Sequence, residues 1–261
     1  MEQEFEHPRW EQIWAGEFPP HFDKQTVCPA FQSLIDKNSL PKGRALVPGC
    51  GRGYDVTALA ESGDRYCVGV DISTTAIWEA NERLREILEF CEKCEIPIAP
   101  KPEKVEFKCM SFFDIETDTP EKLWDFVYDY IFLCSLDPRI HDKWAKKMKE
   151  LVKIDGELLC MVFPVMEKEG GPPWGMDLEY VCELLQPEFE VLILKDRFQK
   201  GLLPPAMCHE GRGGPMEGMK AEDGDDWDAK TQNKAGTGII RFKRVEIDES
   251  DYEEGGGQYA K

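Results

Sequence analysis

Residues 44–71, RALVPGCGRGYDVTALAESGDRYCVGVD, constrain the fold more than any other stretch of this chain. Arg44, Ala45, Leu46 and Val47 read as a buried strand running into Gly49-Cys50-Gly51-Arg52-Gly53. Val56, Leu59 and Ala60 then recur at helical spacing, and Val68, Gly69, Val70 and Asp71 form a second strand that ends in an acid. Glycine allows a tight turn and a close backbone approach to a ligand, because no Cβ intervenes. A strand, a glycine turn, a helix and a second strand ending in a carboxylate can hold a nucleoside. The acid, about 20 residues past the turn, accepts hydrogen bonds from the ribose hydroxyls.

The spacing discriminates between adenosine cofactors. A dinucleotide fingerprint requires G-x-G-x-x-G, and here the third glycine arrives one residue early, at Gly53. A pyrophosphate also favours a helix start free of side chains. The pattern G-x-G-x-G followed by Asp71 suits S-adenosyl-L-methionine, which carries no phosphate. A ligand-free turn is the competing explanation, but three glycines in five residues cost backbone entropy that such a turn does not need to spend.

Around this unit the chain alternates strands and helices. Trp10, Ile13 and Trp14 share one face of a short helix, and Phe31, Leu34 and Ile35 mark a second. These aromatics either cap a sheet edge or form a lid. Ser73 is placed to cap a long amphipathic helix carrying Ile77, Ala80, Leu84, Ile87 and Leu88. Residues 105–110 read as the third strand, with Ser111 and Phe112 just past it, where open parallel sheets bind ligands. Residues 125–133 read as the fourth strand. Asp129 and Tyr130 lie within it and, if buried, need partners. Trp144, Met148, Leu151 and Val152 mark a helix, Asp155-Gly156 a turn, and residues 157–163 the fifth strand. Residues 178–185 read as a helix, 189–194 as the sixth strand and 238–245 as the seventh. This order predicts an α/β fold, one parallel sheet with helices on both faces, and seven strands with a late hairpin-like pair, the sixth and seventh without a helix between them, suit a seven-stranded Rossmann-like sheet of the methyltransferase type. The expected organisation is a single domain over 1–245, with an aromatic lid at 1–40 and a flexible loop at 200–237. An acidic, disordered tail would follow at 246–261.

Composition narrows the partners. The chain has 261 residues, with 51 acidic and 32 basic side chains and a formal net charge of -19. Nucleic acids and anionic membranes require a basic surface, so neither is an expected partner. The start, MEQEFEHPRW, lacks the basic and apolar regions of a secretory signal, and a cytoplasmic monomer is the expectation. Ten scattered cysteines read as reduced thiols, several of them (Cys67, Cys109, Cys134, Cys160) in core strands. Cys91 and Cys94 form a C-x-x-C without a second half-site, so no metal is expected. The four histidines form no cluster and read as surface or loop residues.

Six segments taken in order, LVPGCGRGYDV, GVDIS, DYIFLCSLDP, WAKKM, DGELL and GGPPW, carry a resemblance. The chain resembles the thiopurine S-methyltransferase superfamily and, within it, the plant halide and thiocyanate (thiol) methyltransferases, from about Trp10 to Val245. The resemblance implies cofactor contacts at Trp10, Trp14, Phe22 (with His21 as the alternative), Gly49, Gly51, Asp71, Ser111 and Phe112. It places Tyr130 where the plant proteins have a tyrosine and the mammalian thiopurine enzyme an arginine. Tyr130 is thus a candidate both for cofactor contact and for orienting the nucleophile, against the plainer role of a core tyrosine.

The implied reaction is in-line methyl transfer to a small soft nucleophile: a thiol, bisulfide, thiocyanate or a halide. The alternatives are an enzyme acting on thiopurine-like or other small heteroatom acceptors, and a non-catalytic S-adenosylmethionine-binding protein. Soft anions need little base, which accounts for a chain without a Ser/His/Asp or metal constellation.

Overall fold

The computed structural model describes residues 9–16, 20, 22–95, 100–195 and 236–247. Two short helices, α1 (Arg9–Trp14) and α2 (Pro29–Asp36), precede the sheet. Then come β1 (Gly43–Pro48), α3 (Tyr54–Ala60), β2 (Arg65–Asp71), α4 (Thr74–Lys93), β3 (Val105–Cys109) and β4 (Trp124–Tyr130). The chain continues with α5 (His141–Leu151), β5 (Val152–Val165), α6 (Leu178–Leu185), β6 (Phe189–Lys195) and β7 (Gly236–Arg244). The seven strands form one sheet in the order β3-β2-β1-β4-β5-β7-β6. Strands β1 to β5 run parallel to one another, and β7 lies antiparallel between β5 and β6. The late antiparallel pair expected from the sequence is therefore present. The chain leaves β1 toward β3 on one side and returns to β4 on the other. This reversal opens a crevice at the carboxyl ends of β1 and β4, where such sheets bind ligands.

Period-two alternation builds two cores. Ala45, Val47, Phe126 and Tyr128 face Phe31 of α2 and Val56 and Leu59 of α3. Leu46, Val127 and Leu158 face the opposite way, against Trp144 and Met148 of α5 and Val181 of α6. Ser73 caps α4 as expected, its hydroxyl accepting from the Ala76 N–H at 3.1 Å. Arg65 is buried at the start of β2 with all three nitrogens used, donating to the carbonyls of Leu40 and Pro41 and to the Ser62 hydroxyl.

The structure corrects several sequence expectations. Strand β4 ends at Tyr130, not at residue 133, because Ile131 adopts a φ of +54° and Leu133–Ser135 form a single 3-10 turn. Asp129 drives that turn. Its Oδ1 accepts the N–H groups of Phe132 and Leu133, each at 3.2 Å, and its Oδ2 accepts the indole N–H of Trp144 at 2.9 Å. The partners demanded by a buried acid are thus a neighbouring loop and a helix on the far core. Strand β5 begins at Val152, and the expected turn at Asp155-Gly156 is instead a register break within it. Asp155 takes a φ of +63°, and a Cβ on Gly156 would lie 3.0 Å from the Lys153 carbonyl oxygen. Strand β3 stops at Cys109, which is exposed rather than in the core, because β3 is an edge strand. Cys134 is buried, but in the 3-10 turn after β4 and not in a strand. His141 is buried rather than on the surface; its ring nitrogens lie 3.1 Å from the Tyr180 hydroxyl and 3.2 Å from the Leu136 carbonyl. It starts α5 on the face packed toward α6, a position no periodicity marks. Strand β7 begins at Gly236, inside the loop expected at 200–237; positions 200–235, and 248–261 of the expected tail, lie outside the described residues.

The Asp129–Trp144 bond yields a stability prediction. Trp144→Phe removes the indole donor from a buried carboxylate, and Asp129 then loses one of three partners. The unfolding free energy in a denaturant titration should fall by about 1–3 kcal/mol; an unchanged midpoint and slope would show that the bond contributes nothing.

Candidate active site

The site grows from the glycine turn. Gly49, Gly51 and Gly53 have φ values of +59°, +50° and +71°, a left-handed run that other residues adopt only at a cost. Space is as restrictive as conformation. A Cβ on Gly49 would meet Cδ2 of Phe132 at 2.5 Å, and one on Gly51 would meet Cζ2 of Trp14 at 2.8 Å. The turn therefore lies bare beneath two aromatic rings.

Asp71 closes the turn from the end of β2. Its Oδ2 accepts the Gly51 N–H at 3.0 Å and its Oδ1 accepts the Ser73 N–H at 2.9 Å. Burial pushes this carboxyl above the usual carboxylate range, while the Ser73 and Gly51 N–H groups oppose the shift. A carboxylate offers about four lone-pair positions, so it keeps room for a hydroxyl donor such as that of a ribose. The bare turn and the pinned acid fit an adenosine cofactor.

The predicted aromatics gather above this floor. Phe22 packs edge-on to both Trp10 and Trp14, with centroids 5.7 Å apart in each case. Trp14 is buried, whereas Trp10 and Phe22 are half-buried. His21 lies outside the described residues. Ser111 caps the 3-10 turn Phe112–Asp114 by accepting the Phe113 N–H at 3.1 Å. Phe112 meets Phe132 at 5.2 Å, and through that ring joins the cover over Gly49. Tyr130 is the last residue of β4, half-buried, and stacks on Tyr128 at 6.0 Å with an interplanar angle of 13°. Tyr128 in turn stacks on Phe31 at 3.6 Å. All nine predicted positions thus lie at or beside the carboxyl ends of β1 to β4.

Several residues of the site carry no motif in the sequence. Glu11 docks α1 onto the start of α4: its carboxylate accepts the Thr75 hydroxyl at 2.6 Å, the Ser73 hydroxyl at 2.7 Å and the Thr75 N–H at 3.2 Å. The Thr75 and Ser73 hydroxyl bonds hold its pKa below the usual value, and a negative charge at a helix N-terminus is itself favourable. Arg52, inside the glycine turn, lies 3.1 Å from Asp23, donates to Glu79 at 2.5 Å, and sits 6.0 Å from the Trp14 ring. Its position between two glycines is the one hint that it faces the lid. Phe132 reads as a strand residue in the sequence, and only the break at Ile131 turns it over Gly49. Among the described residues no group of three or more His, Cys, Asp or Glu side chains could hold a metal ion, and no helix is long and apolar enough to cross a membrane.

Two substitutions test this construction. Gly51→Ala forces a strained φ and displaces Trp14, so the dissociation constant for S-adenosylhomocysteine in calorimetry should rise about tenfold or more, the equivalent of ~1.4 kcal/mol. Glu11→Ala frees α1 from α4, and should weaken the same binding while leaving thermal unfolding close to wild type. Wild-type affinity in both variants would show that the lid and turn do not form the cofactor site.

Relatives of known name bear on this geometry. The model of the family Thiopurine S-methyltransferase (TPMT) matches residues 5–206. Thiocyanate methyltransferase 1 of Arabidopsis thaliana is 40% identical over 178 residues, 68% of this chain and 71% of that protein. The probable thiol methyltransferase 2 of the same plant is 38% identical over 189 residues, 72% of this chain and 76% of that protein. Among solved structures, magnesium protoporphyrin IX methyltransferase from Synechocystis, with S-adenosylmethionine bound, superposes with a TM-score of 0.53 at 15% identity. That alignment covers 91% of this chain and 90% of the other, a likeness of fold. The sheet order, the glycine turn and this degree of identity converge: the chain belongs to the thiopurine S-methyltransferase family and is a methyltransferase.

Proposed function

We propose that this enzyme transfers the methyl group of S-adenosyl-L-methionine to a small soft nucleophile: a thiol, bisulfide, thiocyanate or a halide. The observation that carries the reading is Tyr130. At the end of the strand that borders the crevice, the chain presents a phenol and not a charged side chain. An arginine there would suit a charged or polar heterocycle; a tyrosine leaves a smaller, less charged pocket with one hydroxyl. The plant relatives' names, a thiocyanate and a thiol methyltransferase, agree with this choice.

In this reading Asp71 takes the ribose, and Gly49 and Gly51 admit the cofactor backbone-close. Ser111 and Phe112 border the adenine. Trp10, Trp14 and Phe22 form the lid, and their π faces favour a sulfonium cation. The cofactor supplies a methyl group already activated by its neutral thioether leaving group. The protein's part is to exclude water and to align the acceptor, a contribution of roughly 7–11 kcal/mol in well-oriented reactions. Tyr130 orients the acceptor through its hydroxyl. Residues 1–245 act as one domain, in a cytoplasmic, monomeric enzyme with no nucleic-acid or membrane partner.

The test is turnover of labelled cofactor with iodide, thiocyanate, bisulfide, thiophenol and a thiopurine. Methylation of the first four, with the thiopurine poorest, is expected. Preference for the thiopurine would reassign the substrate, and cofactor binding without any product would remove the enzymatic reading. Tyr130→Phe should lower kcat/KM for the preferred acceptor about tenfold, one hydrogen bond's worth, with little change in cofactor affinity.

A further inference from the structure

The lid of the proposed cofactor site has a fastener that the reading above does not use. Arg52 stands between Gly51 and Gly53, in the glycine turn itself. Its guanidinium reaches two other parts of the molecule. Nε donates to Oε2 of Glu79 on α4 at 2.5 Å, and Nη1 lies 3.1 Å from Oδ2 of Asp23. Asp23 follows Phe22, the ring that packs edge-on to both Trp10 and Trp14. One arginine therefore joins the glycine turn, α4 and the segment that carries Phe22.

The two acids differ in how much water they see. The Asp23 side chain is 5% exposed, against 23% for Glu79. Oδ1 of Asp23 accepts the Gln25 N–H at 3.0 Å. Oδ2 has no aligned hydrogen bond among the described residues and faces the Arg52 charge as an ion pair. Burial pushes the Asp23 carboxyl above its usual range; the Gln25 N–H, Arg52 and, more weakly, Lys24 oppose that rise, and Glu79 adds to it. A carboxylate taken out of water without a compensating charge is costly. Glu79 gives Arg52 a second partner, so Asp23 depends on Arg52 more than Arg52 depends on Asp23.

We propose that Arg52 is a positioning residue of the cofactor site, holding the aromatic lid closed over the glycine turn by compensating the buried carboxylate of Asp23. The inference rests on the lid of the proposed cofactor site and adds what keeps that lid shut. Without the guanidinium, Asp23 regains water only by drawing its segment away from the turn. Phe22 moves with it, and the two tryptophans lose the ring that braces them. Trp14 then leaves Gly51, whose missing Cβ provides the space in which that indole sits. Glu11 fastens α1 to α4 through neutral hydroxyl and amide donors. The fastener at Arg52 differs in kind, because it works by setting one charge against another.

The experiment measures the dissociation constant of S-adenosylhomocysteine by calorimetry at neutral pH, in the full-length wild type, in Arg52→Gln and in two double variants. Arg52→Gln keeps part of the aliphatic stem and removes the charge. Its dissociation constant should rise about tenfold, and stopped-flow tryptophan fluorescence should show S-adenosylhomocysteine leaving faster by about the same factor. Adding Asp23→Asn to Arg52→Gln removes the charge that needs compensation, and should bring the constant back to within about threefold of wild type. Adding Glu79→Gln instead should restore nothing, because Glu79 is already partly hydrated. A loss in Arg52→Gln that Asp23→Asn does not repair, or that either second substitution repairs equally, would show that the arginine supports the turn by packing and would overturn the proposal. Should Arg52→Gln alone fail to fold, the double variant with Asp23→Asn decides: affinity within about threefold of wild type upholds the proposal, and a greater loss overturns it. If the wild type does not bind S-adenosylhomocysteine, the cofactor reading falls and takes this inference with it; binding indifferent to Arg52→Gln sinks the inference alone.

Discussion

The site depends on one carboxylate bridging two backbone amides. Asp71 holds the Gly51 N–H with one oxygen and the Ser73 N–H with the other. The first bond sets the glycine turn against the end of β2, and the second sets the start of α4. Glu11 then reaches the same helix start through Ser73 and Thr75, so α1 is referenced to the same point. Strand end, turn, α4 and α1 share one anchor. Disturbing it moves all four, because each element meets the crevice only at its terminus.

Aromatic rings fill the space that this anchor leaves. Trp14 and Phe132 meet the turn at different glycines and occupy the volume where side chains at Gly51 and Gly49 would sit. Phe22 braces the two tryptophans, and Phe112 braces Phe132. Such walls carry little charge and exclude water. The chemistry assigned to the site asks for this environment: a soft nucleophile loses hydration and gains alignment. Within the crevice the charged groups are held in local contacts, Arg52 against Asp23 and Glu79 and Asp71 against two backbone N–H groups.

Two acids on opposite sides of the sheet illustrate how environment divides roles. Asp129 has three donors and holds a loop and a helix together. Asp55, in the first turn of α3, leaves one buried oxygen without a hydrogen bond among the described residues. Burial raises both pKa values, to about 6 and about 7 respectively.

Much of this was legible in the one-dimensional chain. Alternating strands and helices, the glycine spacing and Asp71 determined the sheet, its crevice and the class of cofactor, because backbone conformation and hydrogen-bond need are local properties of residue type. The nine candidate positions followed from those local signals and from motif resemblance. Tertiary structure alone decided where the polar and aromatic groups without motifs would act. Glu11, Arg52 and Phe132 look like ordinary surface or strand residues until α1 docks on α4 and Ile131 breaks β4. His141 and Cys109 exchange their expected places for the same reason. Burial is set by which element packs against which, and that depends on contacts between residues far apart in sequence.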